Sequence, residues 1–225
     1  MRFPIYEAAA PLARDLLRAE GLKDVVDLGS GSGGPWPALL RAPGLEEVRL
    51  TLTDRALDPC ALRAFDDDQR ESVRLGPQTQ DLLAPADLPG LRTAFACLHH
   101  LAPDELEGLF AEVAHDGHPF LGIEVTERKA SAIARQFLLF PAALVAVLFI
   151  RPTLAQLALT YLLPVIPLAL VWDGVVSCLR SYDPDELCAL ARQHAPKEYV
   201  WDVGRTSSEV GPVHLIYLLG RRSTH

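Results

Sequence analysis

The segment Val25-Val26-Asp27-Leu28-Gly29-Ser30-Gly31-Ser32-Gly33-Gly34 carries an apolar, β-branched run straight into a turn holding four glycines. Backbone without Cβ atoms turns tightly and lets a ligand approach its N–H groups, which can face an anion or carboxylate at the following helix start. No Lys follows in the GxxxxGK[ST] arrangement, so this is not a triphosphate cradle. Asp54 closes an alternating apolar stretch at 47–53, where a carboxylate on the neighbouring strand can accept both hydroxyls of a ribose. Asp81, in Thr79-Gln80-Asp81-Leu82, follows a third strand and is placed to take an exocyclic amine. Alone, the turn reads equally as structural and Asp81 as a solvated loop acid. Together they point to an adenosine-type ligand across the switch point of an α/β sheet.

Residues able to move protons or contact an acceptor lie further along. His99 and His100 end the run Ala96-Cys97-Leu98-His99-His100 and are base candidates. Adjacent positions on a strand end point opposite ways, so at most one of them faces a pocket. In VWDGVVSCLRSY at 171–182, Asp173 can orient or deprotonate an acceptor, and Trp172 can stack on a ring or sit at a membrane interface. The alternative is Asp173 as a helix cap beside a core Trp172. Glu124 and Arg180 are candidate acceptor contacts, or they pair with each other. Tyr6, ahead of the first strand, serves as a pocket lid or as part of a hydrophobic strap.

The elements that position these groups alternate strand and helix through the first two-thirds of the chain. Strands are expected at 24–28, 47–53, 72–75, 93–98, 119–125, 198–203 and 213–220, and helices at 35–41, 57–68, 103–113 and 183–193. All 225 residues read as one domain with an apolar helical insertion at 129–180. Its centre, 137–172, has a single charge, Arg151, and four prolines. Three readings of it compete: a membrane-dipping insertion, an apolar lid on the domain or on a partner chain in a homodimer, and a spanning hairpin.

Composition narrows the partners. With 21 basic and 29 acidic side chains, the net charge of −8 argues against nucleic acid. Cys60, Cys97, Cys178 and Cys188 lack metal-ligand spacing, so no metal site and no disulfide framework is expected. The first residues lack the apolar core of a secretory signal, so a cytoplasmic location is expected, peripheral on the inner membrane face if the insertion touches lipid.

VVDLGSGSGG, then LTLTD, then TQDLL, then FACLHHLAPDELEGLFAEVA resembles a class I S-adenosylmethionine-dependent methyltransferase, of the small-molecule type seen in quinone biosynthesis. The resemblance covers roughly 20–128 and resumes at 181–220. It implies a Rossmann-like seven-stranded sheet of order 3-2-1-4-5-7-6 with the last strand antiparallel. It implies that Asp27, Gly29, Ser30, Gly31 and Gly33 hold the methionine part of S-adenosyl-L-methionine and Asp54 its ribose. Arg55 would lie beside the adenine, Asp81 and Leu82 would flank it, and Leu98 and His99 would close the fourth-strand end near the sulfonium. The implied activity is methyl transfer to O or N of a small molecule, lipophilic if the greasy insertion overhangs the donor. A non-catalytic cofactor-binding or membrane scaffold protein on the same fold is the alternative, and an NAD(P)-dependent oxidoreductase, whose GxGxxG spacing also fits, is a further rival.

Overall fold

The computed structural model describes residues 4–76, 88–207 and 214–223. The chain divides into two units, one of Met1–Val125 with Pro184–His225 and one of Thr126–Asp183. The first holds seven strands: β1 (Asp24–Leu28), β2 (Arg49–Thr53), β3 (Val73–Leu75), β4 (Leu91–Phe95), β5 (Phe120–Glu124), β6 (Tyr199–Ser207) and β7 (His214–Arg222). They form one sheet in the order β3-β2-β1-β4-β5-β7-β6. Strands β1 to β5 are parallel, and β7 is antiparallel to both β5 and β6. The expected order and the reversed last strand are both present.

The sequence patterns explain this layering. Every residue of β4 and β5, and all but the first of β1, is buried, as near-continuous apolar strands must be when helices cover both sheet faces. At the edge, β6 begins by alternating, with Tyr199 and Trp201 buried and Val200 exposed. Leu16, Leu17, Val25, Trp36, Leu39, Leu50, Leu91 and Phe95 share one core. It is built on α1 (Ala10–Glu20), the single turn α2 (Trp36–Leu39) and the sheet. After β2, the helix expected over 57–68 is only a 3-10 turn, Ala61–Ala64, and one turn of helix, α3 (Asp67–Arg70). Local side-chain bonds divide it: Asp58 accepts the Cys60 N–H at 2.8 Å, and Gln69 reaches back to the Asp66 N–H at 3.2 Å to start a new turn. The fourth strand stops at Phe95, earlier than expected, because Ala96 turns to φ +49. Helix α4 (Pro103–Asp116) follows, its first turn closed by Glu105 accepting the Ala102 N–H at 2.7 Å.

The unit Thr126–Asp183 brackets the insertion expected at 129–180. It contains α5 (Ala130–Gln136), α6 (Leu139–Ala146), α7 (Leu154–Leu157) and α8 (Val165–Arg180). α5, α6 and a 3-10 turn at Val147–Phe149 run on as one helix of 20 residues, Ala130–Phe149. Pro141 lies within this 20-residue helix, just past the α5–α6 junction, whereas Pro167 falls within the first turn of α8, where the missing N–H breaks no intrahelical bond. Pro164 interrupts the return arm, and the helical stretch Leu154–Leu162 meets α8 at 70°. α8 packs against α5 and α6, closely at Gly174, where a Cβ would stand 2.5 Å from Gln136 Oε1. At the ends of the unit Ser181 Oγ bonds Thr126 Oγ1 at 2.6 Å, and Arg128 Nε donates to Ser181 O at 3.1 Å. The chain then continues through α9 (Pro184–Gln193) into β6.

Candidate functional site

The order of the sheet reverses between β1 and β4, so the carboxyl ends of β1, β2, β4 and β5 form the crevice where open α/β sheets bind ligands. β1 delivers Asp27, 1% exposed, beneath the glycine turn. Its Oδ1 accepts the Thr93 hydroxyl from β4 at 2.7 Å, and its backbone carbonyl accepts both Ser30 Oγ and Thr53 Oγ1 at 2.8 Å. Burial pushes the Asp27 carboxyl up to about 6, partly offset by the hydrogen bond from Thr93. Trp36 Nε1 lies near enough to favour the charge yet outside hydrogen-bond geometry, a buried N–H without a protein acceptor.

The turn is then shaped by backbone that only glycine accepts readily. Gly31 sits at φ +53 and Gly33 at φ +107. A Cβ at Gly31 would meet nothing within 4 Å, so the turn opens on free space there, whereas one at Gly33 would press on Phe65 at 3.1 Å. Asp54, one residue past β2, points into the turn: its Oδ2 accepts the Gly31 N–H at 2.8 Å and its Oδ1 the Ala56 N–H at 2.8 Å. Each carboxylate oxygen has a further lone-pair site, so the bracket can still accept two hydroxyls. Open space at Gly31, an acid beside it with spare acceptor sites and a second acid beneath suit an amino-acid-tailed nucleoside. Gly29, Ser30, Gly31 and Gly33 all belong to this turn, with Ser30 buried. Arg55 is exposed. Asp81 and Leu82 lie outside the described residues.

A second cluster stands at the ends of β4 and β5. Past Ala96, the chain makes a 3-10 turn, Leu98–His100, with Leu98 and His99 buried and His100 exposed. Glu124, the last residue of β5, accepts the Leu98 N–H at 2.7 Å and lies 2.8 Å from His99 Nδ1. Both side chains are almost fully buried, 6% and 5% exposed. A carboxylate only accepts, so His99 Nδ1 carries the proton of this bond, and in the neutral ring the lone pair then belongs to Nε2. One expectation changes here. The histidines do not point opposite ways, since a 3-10 turn replaces the strand end and their ring centres lie 4.2 Å apart. Glu124 Oε1 is engaged by the Leu98 N–H and Oε2 by His99.

Tyr6, in a 3-10 turn at Pro4–Ala9, packs edge-on against Phe95 at 5.7 Å, and Phe95 against Trp36 at 6.0 Å. Burial, then the charge of Glu124, then Cys97 push the Tyr6 hydroxyl well above its usual value. Cys97 is likewise raised, by desolvation and by Glu124, Asp27 and Asp54, so it stays a thiol and is no nucleophile. All three acids therefore lie close enough to Cys97 to act on it. Trp172, Asp173 and Arg180 belong to α8 of the other unit. Asp173 is mid-helix and exposed, so it caps nothing, and Trp172 is 72% exposed, not core. Sequence reading missed Thr93, Phe95 and Trp36. A Thr at the head of the apolar run Thr93–Leu98 was the available signal.

No family model and no curated protein sequence matches the chain. Solved structures do. The mitomycin 7-O-methyltransferase MmcR is 16% identical with a TM-score of 0.51, covering 97% of this chain and 54% of its own. Human N-acetylserotonin methyltransferase, solved in complex with S-adenosylmethionine, is 14% identical at a TM-score of 0.53, covering 98% and 53%. The chain thus spans about half the length of these two proteins. It spans 100% of the methyltransferase domain of bacterial CtHen1-C, at 13% identity and a TM-score of 0.56, with 98% of this chain covered. Strand order, the reversed seventh strand and these likenesses agree: the chain has the class I S-adenosylmethionine-dependent methyltransferase fold.

Proposed function

We propose that the chain is an S-adenosylmethionine-dependent methyltransferase directed at a hydroxyl oxygen of a small, lipophilic acceptor. The observation that carries the reading is the buried His99–Glu124 pair at the same end of the sheet as the Gly31–Asp54 bracket. Asp54 would hold the ribose, and the turn from Asp27 to Gly33 the amino-acid tail, with the Asp27 carboxylate facing the ammonium. Bound, S-adenosylmethionine supplies a methyl carbon on a sulfonium, open to in-line displacement by oxygen. His99 Nε2 takes the hydroxyl proton as the oxygen attacks. Glu124 holds the ring in the productive tautomer and stabilises the imidazolium that forms. Tyr6, Phe95 and Trp36 give that end an apolar, aromatic wall that suits a ring-bearing acceptor and keeps water from competing. His99 also favours oxygen over amine nitrogen, because an unprotonated amine already offers a lone pair and needs no base to attack.

Titration with S-adenosylhomocysteine by calorimetry tests the cofactor part. The wild type binds, and Asp54→Ala weakens binding by about ten- to a hundredfold, the value of a charge-assisted pair. Unchanged affinity in the variant refutes the bracket. A panel of phenols, quinols and amines then tests the acceptor: turnover confined to hydroxyls fits the reading, and turnover of amines alone overturns it.

A further inference from the structure

We propose that the unit Thr126–Asp183 is a helical hairpin embedded in a lipid bilayer bearing anionic headgroups, with the catalytic unit on the cytoplasmic side. Its surface is inverted relative to a water-soluble element. Of the 19 exposed large hydrophobic side chains among the described residues, 17 lie between Phe137 and Leu179. They include Leu148, Phe149, Leu154 and Leu162, each 68 to 85% exposed, and α6 and α7 bury no residue at all. The outward arm, Ala130–Phe149, has 20 residues, about 30 Å of helix and so the thickness of a hydrocarbon core.

A second observation, independent of exposure, separates lipid from other partners. In hydrocarbon each polar group must be satisfied from within. Between 137 and 171 the uncharged polar side chains are Thr153, Gln156, Thr160 and Tyr161. Thr153 and Gln156 bond each other, Thr160 donates to Gln156 O at 2.7 Å, and Tyr161 donates to Leu144 O at 2.6 Å. The break in the return arm is closed in the same way. Leu163 N–H donates to Ala158 O at 2.8 Å, Val165 N–H to Leu163 O at 2.6 Å, and Pro164 has no N–H to satisfy. A docking surface for another protein would keep polar groups free for it; here the Thr160 and Tyr161 hydroxyls are bonded to backbone carbonyls of the same unit, and Thr153 and Gln156 bond each other.

Charge says which lipid and which side. The unit has five basic residues (Arg128, Lys129, Arg135, Arg151, Arg180) against three acidic (Glu127, Asp173, Asp183), a net +2, so the remainder of the chain carries −10 of the total −8. Four of the five basic residues stand at the base of the hairpin, within its first ten or last four residues, and only Arg151 is at the tip. A basic base suits an anionic leaflet and, by the positive-inside tendency, faces the cytoplasm.

Trp172 is a built-in reporter, because the other two tryptophans, Trp36 and Trp201, are buried in the catalytic unit. The full chain, purified in mild detergent, is reconstituted with vesicles of phosphatidylcholine and phosphatidylglycerol, with and without brominated acyl chains. Flotation with the vesicles, resistant to high salt, is expected, with quenching of about a third of the emission, the share of one tryptophan in three. Trp172→Phe should abolish the quenching. The triple variant Leu148→Glu, Phe149→Glu, Leu154→Glu should float more than about tenfold less. Should that variant fail to fold, quenching in the wild type still decides. A wild type that stays behind as a discrete soluble dimer without quenching overturns the proposal and assigns the apolar surface to a second copy. These readouts need no cofactor and no turnover, so they stand or fall apart from the methyl-transfer reading.

Discussion

Replacing Asp27 with Asn asks whether the acid beneath the glycine turn is kept at a cost to stability. In the folded chain burial raises its carboxyl from 3.8 to about 6, even with the Thr93 hydroxyl donated to it. The unfolded chain returns it to the ordinary value, so between those limits the folded state holds more protons than the unfolded one. Stability contributed by this group is therefore greatest below about pH 4 and falls as pH rises through about 6. A shift of about two units corresponds to roughly 3 kcal/mol, a large share of a marginal folding free energy. An amide keeps the shape, and its carbonyl oxygen can still accept from Thr93, but it carries no charge. Urea unfolding of both proteins in mild detergent at pH 4, 5, 6 and 7.5 cancels every other titrating group in the difference. Relative to its offset at pH 4, where the unfolded carboxyl is already partly ionised, the Asp27→Asn variant should gain about 2.4 kcal/mol by pH 7.5. A difference that does not change with pH, or a relative gain by the wild type, refutes the claim that the charge is poorly solvated in the fold. A consequence for binding follows. If a ligand ammonium faces Asp27, affinity for S-adenosylhomocysteine should fall about tenfold per pH unit below 6, and Asp27→Asn should erase that slope.

Further outcomes can be checked on the same protein. His99→Ala should lower kcat by about a hundred- to ten-thousandfold, the usual worth of a positioned base, while leaving S-adenosylhomocysteine affinity unchanged by calorimetry. Glu124→Gln should lower kcat less and displace the pH–rate profile, since the ring loses its orienting carboxylate and not its lone pair; an unmoved profile refutes the dyad. Gly31→Val forces a β-branched residue to φ +53, at a cost of about 1–2 kcal/mol, and sends its side chain into the open space of the turn. Its unfolding midpoint should drop modestly while cofactor affinity collapses, and retained affinity would show that nothing binds there.

What the sequence made legible was local. β1, the glycine turn and Asp54 follow from a buried apolar run, residues that tolerate positive φ and an acid ending the next strand. These signals need no tertiary information. The His99–Glu124 contact was not legible as a pair, although each residue stood out alone. They are 25 residues apart in sequence, and only the parallel pairing of β4 with β5, Phe95 opposite Ile123, brings the ends of both strands together. The backbone reversal at Ala96 then rotates His99 inward, and no residue type announces a positive φ at alanine. The same limit explains the reading of 171–182. A gathering of Trp, Asp, Arg and Tyr after an apolar run looks like a site at the end of that run. The helix does not stop there: α8 continues to Arg180, so Trp172, Asp173 and Arg180 share one exposed side of a continuous helix and Tyr182 falls past its end. Hydrophobicity along the insertion told that it was unusual, but not what it faces. That distinction comes from hydrogen bonding. In the proposed hairpin Thr160 and Tyr161 donate to backbone carbonyls of the same unit, and the N–H groups of Leu163 and Val165 on either side of Pro164 are both bonded, as a segment facing hydrocarbon requires.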